Sequence, residues 1–209
     1  QRPSGSPHRS RRRAALRRRR VAVATLAGVL ALVIAIVLAM PLFRRAVNEL
    51  TLPLAYSDVI RQQAAEKHLD PALIAAVIYA ETKFDARPSS AGAEGLMQIL
   101  PQTAEFLAHR SGATTFTVSD LGTPQVNIAY GSYYLRYLLD RYDDREMLAL
   151  AAYNGGETNV DRWIAREQQA GRALTIGEIP FPQTTAYVVR VLRAQQAYRR
   201  TYPAALGYS

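Results

Sequence analysis

The sequence predicts a mainly α protein, a helical domain preceded by a single transmembrane helix. Three observations predict it. Residues 21–40 are an unbroken apolar run without a charge. From Ser57 onward, capping residues and prolines mark helix starts, followed by apolar residues three and four apart. No segment alternates convincingly as a strand, and residues 113–118 are the one short candidate.

Composition limits the chemistry first. The 209 residues include no cysteine, so a disulfide scaffold and thiolate metal sites are excluded. Three scattered histidines argue against a His-based zinc site. No metal and no cofactor are expected. The formal net charge is +9, but residues 1–20 alone hold nine arginines and no acid. Without these nine, the 26 basic residues fall to 17, equal to the 17 acidic ones. The remainder is formally neutral, so the charge balance does not call for a nucleic-acid-binding face, and no nucleic-acid partner is expected.

Residues 21–40 contain no charge and no proline. As a helix they extend about 30 Å, the thickness of a bilayer's hydrocarbon core. The arginine arm abuts the N-terminal end of the run. The positive-inside rule then keeps residues 1–20 in the cytoplasm and sends everything after Pro41 outside. Arg44 and Arg45 oppose this with two charges against nine. A cleaved signal peptide is the competing reading, since Val37-Leu38-Ala39 loosely fits a cleavage pattern. Its apolar core usually spans about 7–15 residues, so an uncleaved anchor is favoured. The expectation is a single-pass cell-membrane protein with an extracytoplasmic domain. The arm would touch anionic headgroups. Residues 41–55, with Pro41 and Pro53, read as a linker, and residues 56–205 as the domain.

Within the domain, Ser57 is a candidate N-cap for a helix to about Lys67. Asp70-Pro71 reads as N-cap and first helical residue of a helix to about Lys83, because proline's fixed φ suits that position. Residues 88–95 are rich in Ser, Ala and Gly and read as a loop. Pro101 opens a helix to about His109, and residues 111–123 are irregular. Thr123-Pro124 starts the next helix, with Ile128, Gly131, Leu135 and Leu138 at helical spacing. Residues 145–152 form a short apolar helix, and Asn154-Gly155-Gly156 is expected to be a turn. A helix near 159–169 carries Trp163, the only tryptophan. A loop follows over 171–182, and a helix over 183–200 closes the domain.

One carboxylate stands out. Leu73, Ile74, Val77 and Ile78 make an apolar stripe, and Glu81 lies seven, four and three residues after Ile74, Val77 and Ile78. It therefore falls on the core-facing stripe, near the negative end of the helix dipole. Both features disfavour its charged form and raise its pKa. An acid still protonated near neutrality is what donating a proton to a glycosidic oxygen requires. Farther on, a flexible loop leads to Gly95-Leu96-Met97-Gln98-Ile99, and Ala152-Tyr153-Asn154-Gly155-Gly156 offers an aromatic and an amide.

Five segments in order resemble one family. Glu81-Thr82-Lys83-Phe84 is similar to its Glu-Ser-x-Phe. Ser89 through Gln98 is similar to its Ser-x-x-Gly-Ala-x-Gly-Leu-Met-Gln. Asn127, Ile128, Gly131, Tyr134 and Leu135 match a third motif, residues 152–156 its Ala-Tyr-Asn-Ala-Gly, and residues 183–188 its Glu-Thr-x-x-Tyr-Val. Residues 55–200 thus resemble the lysozyme-like catalytic domain of the soluble lytic transglycosylases. Three positions depart from the pattern: Thr82 for Ser, Gly155 for Ala, and Gln183 for Glu.

The resemblance implies a lysozyme-like fold, α+β with minimal β. It also implies cleavage of the β-1,4 bond between N-acetylmuramic acid and N-acetylglucosamine in peptidoglycan, leaving 1,6-anhydro ends. Glu81 would act as catalytic acid and then base. Ser90 and Gln98 would hydrogen-bond the sugar or orient Glu81, and Met97 would pack in the substrate groove. Tyr153 and Asn154 would shape the groove, and Tyr187 would bring its hydroxyl near Glu81. The implied partners are glycan strands and, through the anchor, the membrane; cell-wall or secretion machinery is a further class of partner. Two alternatives stay open: a hydrolytic muramidase using Asp85 or Glu94 as partner, and a non-catalytic wall-binding scaffold.

Overall fold

The computed structural model describes residues 51–86 and 92–208, and before them residues 30, 33, 34, 36–40 and 47. The chain divides into two units, Gln1–Leu50 and Thr51–Ser209. In the first, residues 36–40 are helical, and Val37 and Leu38 are exposed. Among the described residues no helix is long and apolar enough to cross a membrane. The expected arm, and most of the expected anchor over 21–40, lie outside the described residues.

The second unit is helical. Its helices are α1 (Ser57–Lys67), α2 (Pro71–Thr82), α3 (Pro101–Ser111), α4 (Pro124–Arg141), α5 (Glu146–Gly155), α6 (Glu157–Gln169), α7 (Pro182–Thr201) and α8 (Pro203–Leu206). Two 3₁₀ turns, Val118–Gly122 and Ile176–Glu178, interrupt the loops. The only extended pairing among the described residues is a single antiparallel bridge between Glu94 and Ile99. Residues 113–118 form no strand.

Helix α2 is the centre of the domain. Asp70 caps it by accepting the Ala72 N–H at 3.0 Å, and Pro71 occupies the first position. Every residue from 72 to 78 is buried. The expected one-sided stripe is therefore too narrow: the helix is apolar all round because neighbours cover all of it. Ala75 and Ala76 lie within this buried run and are themselves fully covered. α7 packs most extensively against it, and α1 also flanks it. Lys83 ends the helix in the left-handed region (φ 53°), followed by Phe84 at φ 64°.

Asp70 also ties distant segments to the cap. It accepts from Gln195 Nε2 at 2.8 Å, from Arg199 and from the Tyr208 hydroxyl. These bonds hold its carboxyl below the ordinary range despite partial burial.

The linker expected over 41–55 ends earlier than the sequence indicates. Residues 51–53 are fastened to the domain by three tyrosines: Tyr79, Tyr202 and Tyr198 donate to the carbonyls of Thr51, Leu52 and Pro53. Proline and a lack of periodicity mark irregular backbone, but irregular backbone can still be anchored by side chains. The expected turn at residues 154–156 is also shorter than predicted. Asn154 and Gly155 complete α5, and only Gly156 (φ 84°) breaks the helix.

Candidate active site

Glu81 occupies the last turn of α2, where the helix emerges from the buried run. Burial pushes its carboxyl up to about 7, opposed by the nearby Tyr187 hydroxyl and the Arg190 guanidinium. The phenols of Tyr153 and Tyr187 stay protonated well above the ordinary tyrosine range, through burial first and then the charge of Glu81. Glu81, Tyr153 and Tyr187 thus form one electrostatic cluster, drawn from α2, α5 and α7. Tyr153 donates to the Met97 carbonyl at 2.8 Å. Among the described residues the buried Tyr187 hydroxyl has no hydrogen bond of good geometry, yet it lies close enough to Glu81 to oppose the rise of its carboxyl.

A compact turn faces this cluster. Glu94 and Ile99 exchange backbone hydrogen bonds at 2.9 and 3.0 Å, enclosing residues 95–98. Thr82, next to Glu81, donates to the Leu96 carbonyl at 2.8 Å and so ties the end of α2 to the turn. A threonine hydroxyl can make this contact as a serine would, so the departure at position 82 keeps the donor.

Asn127, fully buried on α4, fastens the same turn. It accepts the Met97 N–H at 2.7 Å and donates to the carbonyls of Glu94 at 2.9 Å and Leu121 at 3.1 Å. Gly95 (φ 71°) lets it in: a Cβ there would stand 2.1 Å from the Asn127 amide nitrogen. Asn127 appeared in the sequence as part of a helical motif, with no site role. A buried amide on the apolar side of a helix, with a glycine-rich loop elsewhere, was the signal that could have found it.

Met97 does not line a groove. Its side chain is fully buried, packed where Gly131 leaves room; a Cβ on Gly131 would meet the Met97 sulfur at 2.3 Å. The groove role expected for Met97 is corrected to core packing, because its side chain is buried in the space that Gly131 leaves on α4. Gln98, at φ 49°, does point into an open pocket and donates to the Gly95 carbonyl at 2.9 Å.

That pocket has a volume of about 340 Å³. Gln98, Tyr134, Tyr153 and Asn154 are among its walls. Asn154 is exposed, and its amide oxygen accepts from Thr184 at 2.9 Å. Tyr134 was matched to a motif but not assigned to the site; its ring lies 5.2 Å from that of Tyr153. Tyr153 links the pocket to Glu81. Ser90 lies outside the described residues.

Among the other acids near the motifs, Asp120 and Glu157 are engaged elsewhere, and Asp85 is carried away from the helix. The left-handed residues 83 and 84 stop α2, so Asp85 does not continue one turn beyond Glu81. Asp120 closes a capping box with Thr117. Glu157 accepts from Tyr137 at 2.9 Å and pairs with Arg141 at 3.1 Å. Among the described residues no cluster of three or more acids and histidines could hold a metal.

The Transglycosylase SLT domain model matches residues 58–176, more than half of the chain and spanning this whole arrangement except α7. The chain belongs to this family. The soluble lytic murein transglycosylase of Escherichia coli K12 is 31% identical over 152 residues, covering 70% of this chain and 23% of that protein. The family member described here therefore spans about a quarter of that relative's length. A solved inactive mutant of the lytic transglycosylase Slt from Pseudomonas aeruginosa superposes with a TM-score of 0.69 at 30% identity, covering 75% of this chain and 26% of that one. A 70-kDa soluble lytic transglycosylase solved with bulgecin A gives 0.68 at 30% identity, covering 73% and 25%. The mainly helical lytic transglycosylase fold implied by the five motifs is the one observed.

Proposed function

We propose that this chain is a peptidoglycan lytic transglycosylase in which Glu81 acts alone as acid and then as base. The observation that carries the reading is one carboxyl, raised to about 7, at the exit of a buried helix and backed by two protonated phenols. A carboxyl with that pKa is protonated in a large fraction of molecules at neutral pH, and its conjugate base is still basic enough to take a proton back.

The reaction follows from those two capacities. Glu81 gives its proton to the oxygen linking N-acetylmuramic acid to N-acetylglucosamine, and the bond from that oxygen to the muramoyl C1 breaks. The muramoyl N-acetyl oxygen shares the positive charge at C1. The Glu81 carboxylate then removes the proton from the C6 hydroxyl of the same sugar, whose oxygen bonds to C1. The product is a 1,6-anhydro ring, and Glu81 ends protonated as it began. No water is consumed, so the second carboxylate of ordinary glycosidases has no task here. Gln98, Asn154 and Tyr153 hold the sugars in the pocket, and a hydrogen bond from Ser90 to the sugar remains part of the proposal on the strength of the motif alone.

The proposed setting is a single-pass membrane protein. The uncharged run over 21–40 and the nine arginines before it support an anchor with the domain on the wall side. Mass analysis of digested glycan strands tests the chemistry: anhydromuramoyl ends are expected, and Glu81→Gln should abolish them. Reducing ends alone would favour a hydrolase and overturn the proposal.

A further inference from the structure

Helix α7 carries four arginines and no acid, in a chain whose charges otherwise balance outside residues 1–20. Arg199 pairs with Asp70. Arg190, Arg193 and Arg200 are exposed and, among the described residues, form no ion pair. Arg136, Arg141 and Arg166, on α4 and α6, are each paired with an acid. Arg200 also suits the negative end of the helix dipole, but Arg190 and Arg193 lie within the helix, where that explanation fails. Spacings of three and seven residues put all three on one side of α7, together with Ala186, Val189 and Ala197.

That side borders a groove of about 520 Å³. Leu52, Tyr79 and Val189 are among its walls, and Arg190 and Arg193 bring it two positive charges and no negative one. Arg190 also donates to the Ala80 carbonyl at 3.4 Å, which holds its stem against the end of α2. The groove is where the chain enters the domain, since Leu52 belongs to it and residues 51–53 are tied down by Tyr79, Tyr202 and Tyr198. The uncharged run ends at Met40, and residues 41–50 can reach at most about 35 Å.

Resting on the single-pass setting proposed above, we infer that this side of α7, with its groove, is a docking surface for the anionic headgroups of the bilayer that holds the chain. Headgroup phosphates pair with Arg190, Arg193 and Arg200, whose stems lie over apolar surface while the guanidiniums stay among the headgroups. The Tyr79 ring, apolar with one polar end, suits that same layer. An acidic protein would match the charges, but it would not account for a short tether entering at the same groove. The sugar pocket takes no wall from α7, so docking does not fill it.

The test uses the full chain reconstituted in vesicles, with a dye on Gln196→Cys. This position is exposed on α7 beside the arginines, and the chain has no other cysteine. A nitroxide on a lipid headgroup quenches the dye when the helix docks. Quenching is expected in vesicles containing phosphatidylglycerol, and it should fall with added salt and in phosphatidylcholine alone. Arg193→Gln with Arg200→Gln should lower the ratio of docked to undocked chain about 25-fold, about fivefold for each arginine near an anionic surface. Quenching that is equal in the two lipids, absent from both, or unchanged in the double variant overturns the docking surface and leaves the anchor standing. A wild-type chain that does not float with phosphatidylcholine vesicles overturns the anchor, and the docking surface with it.

Discussion

Removing the charge of Glu81 should stabilise the domain, and by an amount that depends on pH. Its carboxyl has an ordinary value of 4.5 and is pushed up to about 7 in the folded chain. A raised folded-state value means that the stability it supports is fully present below about 4.5 and is lost as pH rises through about 7. Across that window the cost of holding the carboxylate in the fold reaches at most about 3 kcal/mol. Glu81→Gln keeps the size and removes the titration. The variant should exceed wild type by about 1 kcal/mol at pH 5 and about 3 kcal/mol at pH 8. For a domain of this size the larger figure corresponds to roughly 6–12 °C in Tm. Thermal or urea melts at the two pH values provide the comparison. A stability difference that is the same at pH 5 and pH 8 would refute the raised carboxyl, and with it the physical basis for a protonated acid at neutral pH.

Other consequences are open to measurement. The kcat/KM profile should fall on its alkaline side with a midpoint near 7, the value of Glu81 in the free protein. Tyr187→Phe removes a hydroxyl that lowers that value, so the midpoint should move upward; a shift downward or none at all would exclude the contact. Asn127→Ala strands the Met97 N–H and two carbonyls, and should cost about 3 kcal/mol or more by urea melt while releasing the turn that carries Gln98. Gly131→Ala forces a methyl into the Met97 sulfur and should cost about 1–3 kcal/mol. A neutral result there would mean that Met97 is free to move out of the core.

Helix starts were the most legible part of the sequence. Asp70-Pro71 announces α2 through one side chain and one fixed dihedral, both local, and the cap is formed as read. The phase of Glu81 was legible for the same reason, since spacing along a helix fixes direction. Its emergence at the end of a fully buried rod was not, because Ala75 and Ala76 look alike on an inner or an outer face. Met97 shows the limit of motif reading. The motif marks the residue as important, but only the closeness of Gly131, 34 positions later, shows that the reason is packing. Asn127 was hidden by the same distance: its partners at Glu94 and Met97 lie about 30 residues away. Residues 51–53 are held by tyrosines from α2 and α7, which no local composition can reveal.

Those three tyrosines have a mechanical consequence. Any pull on the chain from before residue 51 is carried first by their hydrogen bonds to residues 51–53. Tyr79 lies two residues before Glu81 on α2, and Tyr198 and Tyr202 lie in α7 and at its end, the helix that also bears Tyr187. Tension on that segment would therefore enter through the same two helices that position the acid and its phenol.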